Sequence, residues 1–144
     1  MNKGILIGLA CMLIGLGGCH RTTDEQRIRN AITTMAQALE NGQPREFMKY
    51  VADDFTGNDG NYDRNGLHNL LRGEVLRNDQ IGVTLGPIDI ELQGDRAIVH
   101  NSATFTGGAG GILPERGAVY TFASGWKREG SRWLCYNANW QRKP

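Results

Sequence analysis

The apolar residues of this chain change their spacing once, near Ile81, from a helical repeat to strict alternation, and that switch leaves few folds open. Before it, Thr22-Thr23-Asp24-Glu25-Gln26 carries overlapping capping-box spacings. Ile28, Ala31, Ile32, Met35 and Leu39 then recur at helical intervals as far as Asn41-Gly42, which predicts an amphipathic first helix. Pro44 suits the first turn of a shorter second helix with Phe47, Met48 and Val51 on one face, running out near Asp53-Asp54-Phe55. A polar loop over residues 56–64 follows. Asn65 is placed to cap a third helix whose apolar stripe is Leu67, Leu70, Leu71, Val75 and Leu76.

After the switch, Ile81, Val83 and Leu85, then Ile88, Ile90 and Leu92 across Gly86-Pro87, read as a bent strand. Gly94-Asp95 turns the chain into a strand over residues 97–105, the glycine run 107–111 makes a connection, and residues 118–127 form the next strand. Glu129-Gly130-Ser131 is a hairpin turn into a last strand over residues 133–141. Three helices followed by an antiparallel meander define an α+β domain.

The N-terminus has a different character. Met1-Asn2-Lys3 precedes an apolar and glycine run over residues 4–15, which fits a signal-peptide core and is shorter than the about 20 residues a membrane span requires. It ends in Leu16-Gly17-Gly18-Cys19, which resembles the lipobox of bacterial lipoproteins: an aliphatic residue, two small residues and the cysteine that receives diacylglycerol. The resemblance implies cleavage after residue 18, lipidation of Cys19, a short tether over 19–23 and a folded domain over 24–144. It implies a membrane partner through the acyl chains and a place in the cell envelope. His20 in second position resembles cargo sent on to the periplasmic face of the outer membrane. Each buried methylene contributes about 0.8 kcal/mol, so the acyl chains would anchor the protein with no further membrane contact.

Lys3 is the only charge before Cys19, so its loss takes sixteen basic residues to fifteen, equal to the fifteen acidic ones. That balance argues against a nucleic-acid partner. Of the three cysteines, Cys11 leaves with the leader and Cys19 is acylated. Cys135 therefore has no intrachain disulfide partner and, in an aromatic strand pattern, reads as a small buried hydrophobe.

The helix order, Ala52-Asp53-Asp54-Phe55-Thr56, Gly94-Asp95-Arg96-Ala97-Ile98-Val99, and Gly125-Trp126-Lys127-Arg128-Glu129-Gly130 leading to Trp133-Leu134 and Asn139-Trp140 are similar to the nuclear transport factor 2-like superfamily. Its SnoaL-like and ketosteroid-isomerase-like members share these features. The resemblance runs from about Asp24 to Arg142. It implies a curved sheet wrapped around helices as a cone, an apolar pocket between them, and homodimers through the sheet. The fold carries isomerases, dehydratases, hydrolases and non-enzymatic binding proteins, so it assigns no reaction by itself.

Ketosteroid isomerases need a carboxylate base, and a tyrosine with a protonated acid to stabilise an enolate oxygen. Counting from Asp54-Phe55-Thr56, the resemblance puts Asp59 at the base position, Met35 at the tyrosine position and Phe122 at the acid position. Neither Met35 nor Phe122 can donate a hydrogen bond, so that machinery is missing. Asp59, Asn61, Asp63 and Asn65 alternate as in a calcium loop, but Arg64 stands where glycine is needed and Leu70 where the bidentate glutamate is needed. The run Gly107-Gly108-Ala109-Gly110-Gly111 lacks the lysine and hydroxyl of a phosphate loop and reads as a hairpin or a pocket lid. His20, His68 and His100 are too scattered for zinc, no Gly-x-Ser-x-Gly elbow is present, and no cofactor is called for.

What remains is a polar and aromatic set suited to lining a concave sheet: Tyr50, Tyr62, Asn101, Tyr120, Trp126 and Asn137 as ligand contacts. Alternation puts Asn101 with Ala97, Val99, Ala103 and Phe105, and His100 with Ile98, Ser102 and Thr104, without saying which face is inside. The leading expectation is a membrane-anchored, non-catalytic domain that binds a small apolar molecule or a partner protein. The alternative is a SnoaL-like enzyme acting on a hydrophobic substrate, with Asp59 or His100 as base.

Overall fold

The computed structural model describes residues 23–108 and 117–144. The leader, Cys19 and residues 109–116 of the glycine-rich connection lie outside the described residues. Helix α1, Asp24–Glu40, begins where the Thr23 hydroxyl accepts the Gln26 N–H at 3.1 Å, and it ends at Asn41 with Gly42 in the left-handed region at φ +66°. Its stripe of Ile28, Ala31, Ile32, Met35 and Leu39 is buried. The short α2, Pro44–Met48, has proline in its first turn.

The second helix stops earlier than its apolar spacing predicts. Val51 opens a strand instead, β1 (Val51–Gly57), followed by the two-residue β2 (Tyr62–Asp63). The long-range partner decides this. The Cys135 N–H donates to the Tyr50 carbonyl at 2.8 Å, and Val51, Thr56 and Gly57 lie opposite Cys135, Asn137 and Ala138. A helix continued through Val51 would forgo those ladder bonds and expose Phe55, which is only 3% accessible in the strand.

The cap of the third helix is Asp63 and not Asn65. Its carboxylate accepts the Gly66 N–H at 2.6 Å at the start of α3, Arg64–Arg77, where negative charge suits the helix dipole. The expected apolar stripe is also shorter than predicted, because Leu76 is 83% exposed.

The meander follows as expected: β3 (Ile81–Gln93), β4 (Arg96–Gly107), β5 (Ala118–Glu129) and β6 (Arg132–Arg142). The bend in β3 is a register shift between Leu85 and Ile88, where Gly86 lies against Ser102. The six-stranded sheet has the order β2-β1-β6-β5-β4-β3, antiparallel throughout except for the parallel β1–β6 pair. Its concave face closes over α1, α2 and α3, and Ile28, Met35, Phe55, Val99, Trp126 and Trp133 meet in one core. At one end, the Trp133 indole N–H donates to Asp24 at 3.0 Å, tying α1 to the β5–β6 hairpin.

Candidate functional site

Between the concave face and the helices lies a cavity of about 400 Å³. One wall is helical: Ile32, Met35, Ala36 and Leu39 from α1, Phe47 from α2, and Leu67, Leu70, Leu71 and Glu74 from α3. The other is the sheet: Val83 and Leu85 of β3, Asn101, Ala103 and Phe105 of β4, Tyr120, Phe122, Ser124 and Trp126 of β5, and Cys135, Ala138 and Trp140 of β6. Tyr62 closes one side against Trp140, with ring centroids 5.3 Å apart. Phe105 meets Tyr120 edge-on at 5.7 Å and Phe122 at 6.2 Å. The lining is thus mostly aliphatic and aromatic, as small-ligand sites are.

Four predicted contacts, Tyr62, Asn101, Tyr120 and Trp126, come together here. The face of β4 left open by the alternation is settled: the Asn101 side is inside. Trp126 is held rigidly, 2% exposed, with its indole N–H donating to the Ser124 hydroxyl at 2.9 Å. The Asn101 carboxamide, opposite Phe122 on β5, has no hydrogen-bond partner among the described residues. An unpaired amide on an apolar floor is a polar handle for a ligand.

The other predicted residues lie elsewhere. The Asn137 carboxamide accepts the Gly125 N–H at 2.9 Å beside the register shift in β5–β6, so it satisfies the backbone and does not line the cavity. Tyr50 packs half-buried against the core outside the cavity lining. Asp59 and His100, the two candidate bases, border a separate polar hollow with Asn61, Thr121, Asn139 and Gln141. The β4 alternation puts His100 on the sheet's outer face, and Asp59 sits in a left-handed turn (φ 56°) with its N–H on the Asn139 side chain at 3.0 Å. Neither lines the apolar cavity, and Phe122 and Trp140 border both hollows. Met35 and Phe122, the counterparts of the isomerase hydrogen-bond donors, do line the cavity and bring only apolar surface.

One polar cavity residue was not anticipated. Glu74 follows Leu67 and Leu71 at helical spacing, so its position in the stripe was the available signal. Its side chain is 12% exposed. One carboxylate oxygen is buried without a hydrogen bond and lies 3.6 Å from the Arg77 guanidinium, and the other accepts from the Asn78 amide at 3.3 Å. Cys135 also reaches the cavity, but burial pushes its thiol up to about 12, which keeps it protonated and unreactive. Among the described residues no three His, Cys, Asp or Glu side chains converge as a metal site would require, and no helix is long and apolar enough to cross a membrane.

Neither a family model nor a curated protein matches the sequence. Solved structures do match the fold. A scytalone dehydratase candidate from Novosphingobium aromaticivorans superposes with a TM-score of 0.72 at 12% identity, covering 83% of this chain and 84% of the other. A hexachlorocyclohexane dehydrochlorinase, LinA-type3 from Novosphingobium barchaimii, gives 0.67 at 14% identity over 83% and 86%. An NTF2-like protein with a cystatin-like fold from N. aromaticivorans gives 0.65 at 16% identity over 81% and 80%. The fold is therefore the nuclear transport factor 2-like, cystatin-like cone. At such identities the likeness establishes the fold and leaves the chemistry to the residues of this chain.

Proposed function

We propose that this chain is a membrane-anchored lipoprotein of the cell envelope whose cone cavity binds a small, largely apolar molecule without transforming it. The observation that carries the reading is the unpaired Asn101 carboxamide on an otherwise apolar and aromatic floor. A ligand of this site has a flat apolar body and one carbonyl or hydroxyl to meet the amide. Leu16-Gly17-Gly18-Cys19 supports the anchor. The absence of turnover is supported by the composition of the cavity, in which Met35 and Phe122 stand where isomerases need donors.

Native mass spectrometry of the mature protein, extracted in mild detergent, tests the reading. The expected result is a diacylglyceryl-modified Cys19 and a bound small molecule that is lost on Asn101→Leu. An empty protein overturns the ligand reading, and an unmodified N-terminus overturns the anchor.

Glu74 supports a second reading, an enzyme of dehydratase type. Its carboxylate lines the apolar cavity, with one oxygen buried, lacking a hydrogen bond and 3.6 Å from the Arg77 guanidinium, and structural neighbours carry dehydratase and dehydrochlorinase names. The two readings separate on Glu74→Gln. An enzyme loses turnover of the co-purified molecule with binding retained, whereas a binding protein shows no turnover to lose.

A further inference from the structure

Among the described residues that line the cavity, Glu74 is the only one with a charged side chain, and no lysine, arginine or histidine joins it there. A carboxylate offers about four acceptor positions. Few of them are used. The Asn78 amide donates to one oxygen at 3.3 Å, and the other, buried, has only the Arg77 guanidinium nearby, at 3.6 Å and without a hydrogen bond. The Arg77 side chain is 55% exposed, so water screens that pair. Asn78 is itself only 5% exposed, and its Oδ1 is a second buried acceptor without a donor. The shortage at the C-terminal end of α3 is therefore of donors, in surroundings where an unmet acceptor costs most.

The same end of the cavity is aromatic. From Asn78 the chain enters β3 at Ile81, and Val83 lies opposite Phe105. Phe105 meets Tyr120 edge-on, and Tyr120 lies 6.4 Å from Phe122. The faces of such rings are negative and attract a cation within about 6 Å of the ring centre. A carboxylate and a group of rings around one apolar space favour positive charge there and oppose negative charge.

We infer that the cavity takes a lipophilic primary amine, its hydrocarbon body among the rings and its ammonium group against Glu74. The inference rests on the binding reading above and deepens it by naming the ligand class. A primary ammonium brings three N–H donors and no acceptor, which suits a carboxylate short of donors. A fatty acid of the same length brings a second negative charge and meets no cation among the described lining residues. An alcohol brings one donor and no charge. Glu74 in this role holds the ligand and moves no proton. Asn101, further along β4 from Phe105, is left for a carbonyl or hydroxyl elsewhere on the molecule.

The test uses the mature protein in mild detergent and three probes of one chain length: decylamine, decanol and decanoate. Tryptophan fluorescence reads binding, since Trp126 and Trp140 line the cavity. Partition of each probe into micelles is common to wild type and variant and cancels between them. A hydrogen bond to a charged group is worth at least about ten-fold in affinity, so Glu74→Gln should weaken decylamine by about that factor, leave decanol within about two-fold and strengthen decanoate. An amine affinity untouched by Glu74→Gln, or decanoate bound by the wild type as tightly as decylamine, overturns this inference and leaves the binding reading standing. A variant that also binds decanol poorly has a damaged cavity, and a comparison on the wild type then decides. Decyltrimethylammonium has the charge and no N–H, so it should bind about ten-fold more weakly than decylamine, and parity overturns the inference. Failure of every probe to bind overturns both readings.

Discussion

Replacing Asn101 with leucine should stabilise the empty domain and weaken the liganded one. The two side chains share a skeleton branched at Cγ, and because Asn101 lines an open cavity the bulkier methyl groups of leucine find room beside Ala103 and Phe122. What changes is the polar group. The Asn101 amide is half-buried and none of its atoms is a buried atom without a partner, so in the empty domain its loss gains at most about 1 kcal/mol, below the full range for a desolvated polar group. For a domain of this size that gain raises the melting temperature by up to about 3–5 °C. In the complex the sign reverses, because the ligand's carbonyl or hydroxyl then faces a methyl group and loses its bond, a penalty of about 1–3 kcal/mol, or five-fold to over 100-fold in affinity. Calorimetric melts of ligand-stripped wild type and Asn101→Leu read the first effect, and ligand occupancy in native mass spectra reads the second. His100→Leu is the control: one residue away but exposed on the outer face, it should stay within about 0.5 kcal/mol and leave occupancy unchanged. An Asn101→Leu protein that melts several degrees below wild type would show the amide to be part of the fold's own bonding, and the argument for a ligand handle would fail.

Gly57→Ala tests the wall opposite. A Cβ there meets the Trp140 ring at 2.8 Å and Phe55 at 3.1 Å, and the expected cost is about 1–3 kcal/mol with Trp140 displaced towards the cavity, read by denaturation and tryptophan fluorescence. Asp24→Ala strands the N–H of Trp133, which is 3% exposed, and should cost about 2 kcal/mol, while in Trp133→Phe the same change should cost much less. Cys135 should resist thiol reagents at neutral pH until the protein unfolds, so its labelling rate should follow denaturant concentration. His68 has a folded-state pKa held below its model value of 6.5 by burial and by Arg72, Arg64 and Arg45. The unfolded chain therefore binds its proton first as pH falls: stability is complete above 6.5 and is lost as pH descends to the folded value. Melts at pH 7.5 and pH 5 should show a smaller loss in His68→Gln than in wild type.

What was legible in the sequence depended on how local the deciding contacts are. The end of α1 is set by Asn41 and Gly42, and β3 through β6 pair with their chain neighbours, so spacing and turn residues found all of them. The segment Val51–Gly57 was misread because its partner, β6, lies some eighty residues away and pairs with it in parallel. Helix spacing at Phe47, Met48 and Val51 was real, but the ladder to Cys135 and Asn137 outweighed it.

The site was half legible for a related reason. Alternation divides β4 into an Asn101 face and a His100 face, yet no property of the strand itself says which is concave. That depends on where α1 and α3 pack. The burial of Ala97, Val99 and Ala103 beneath the helices puts Asn101 in the cavity and sends the two titratable candidates, His100 and Asp59, to the far side of the sheet. The same packing turns Glu74 inward and Leu76 outward, so that two residues only two positions apart on one helix, at 12% and 83% exposure, face opposite ways.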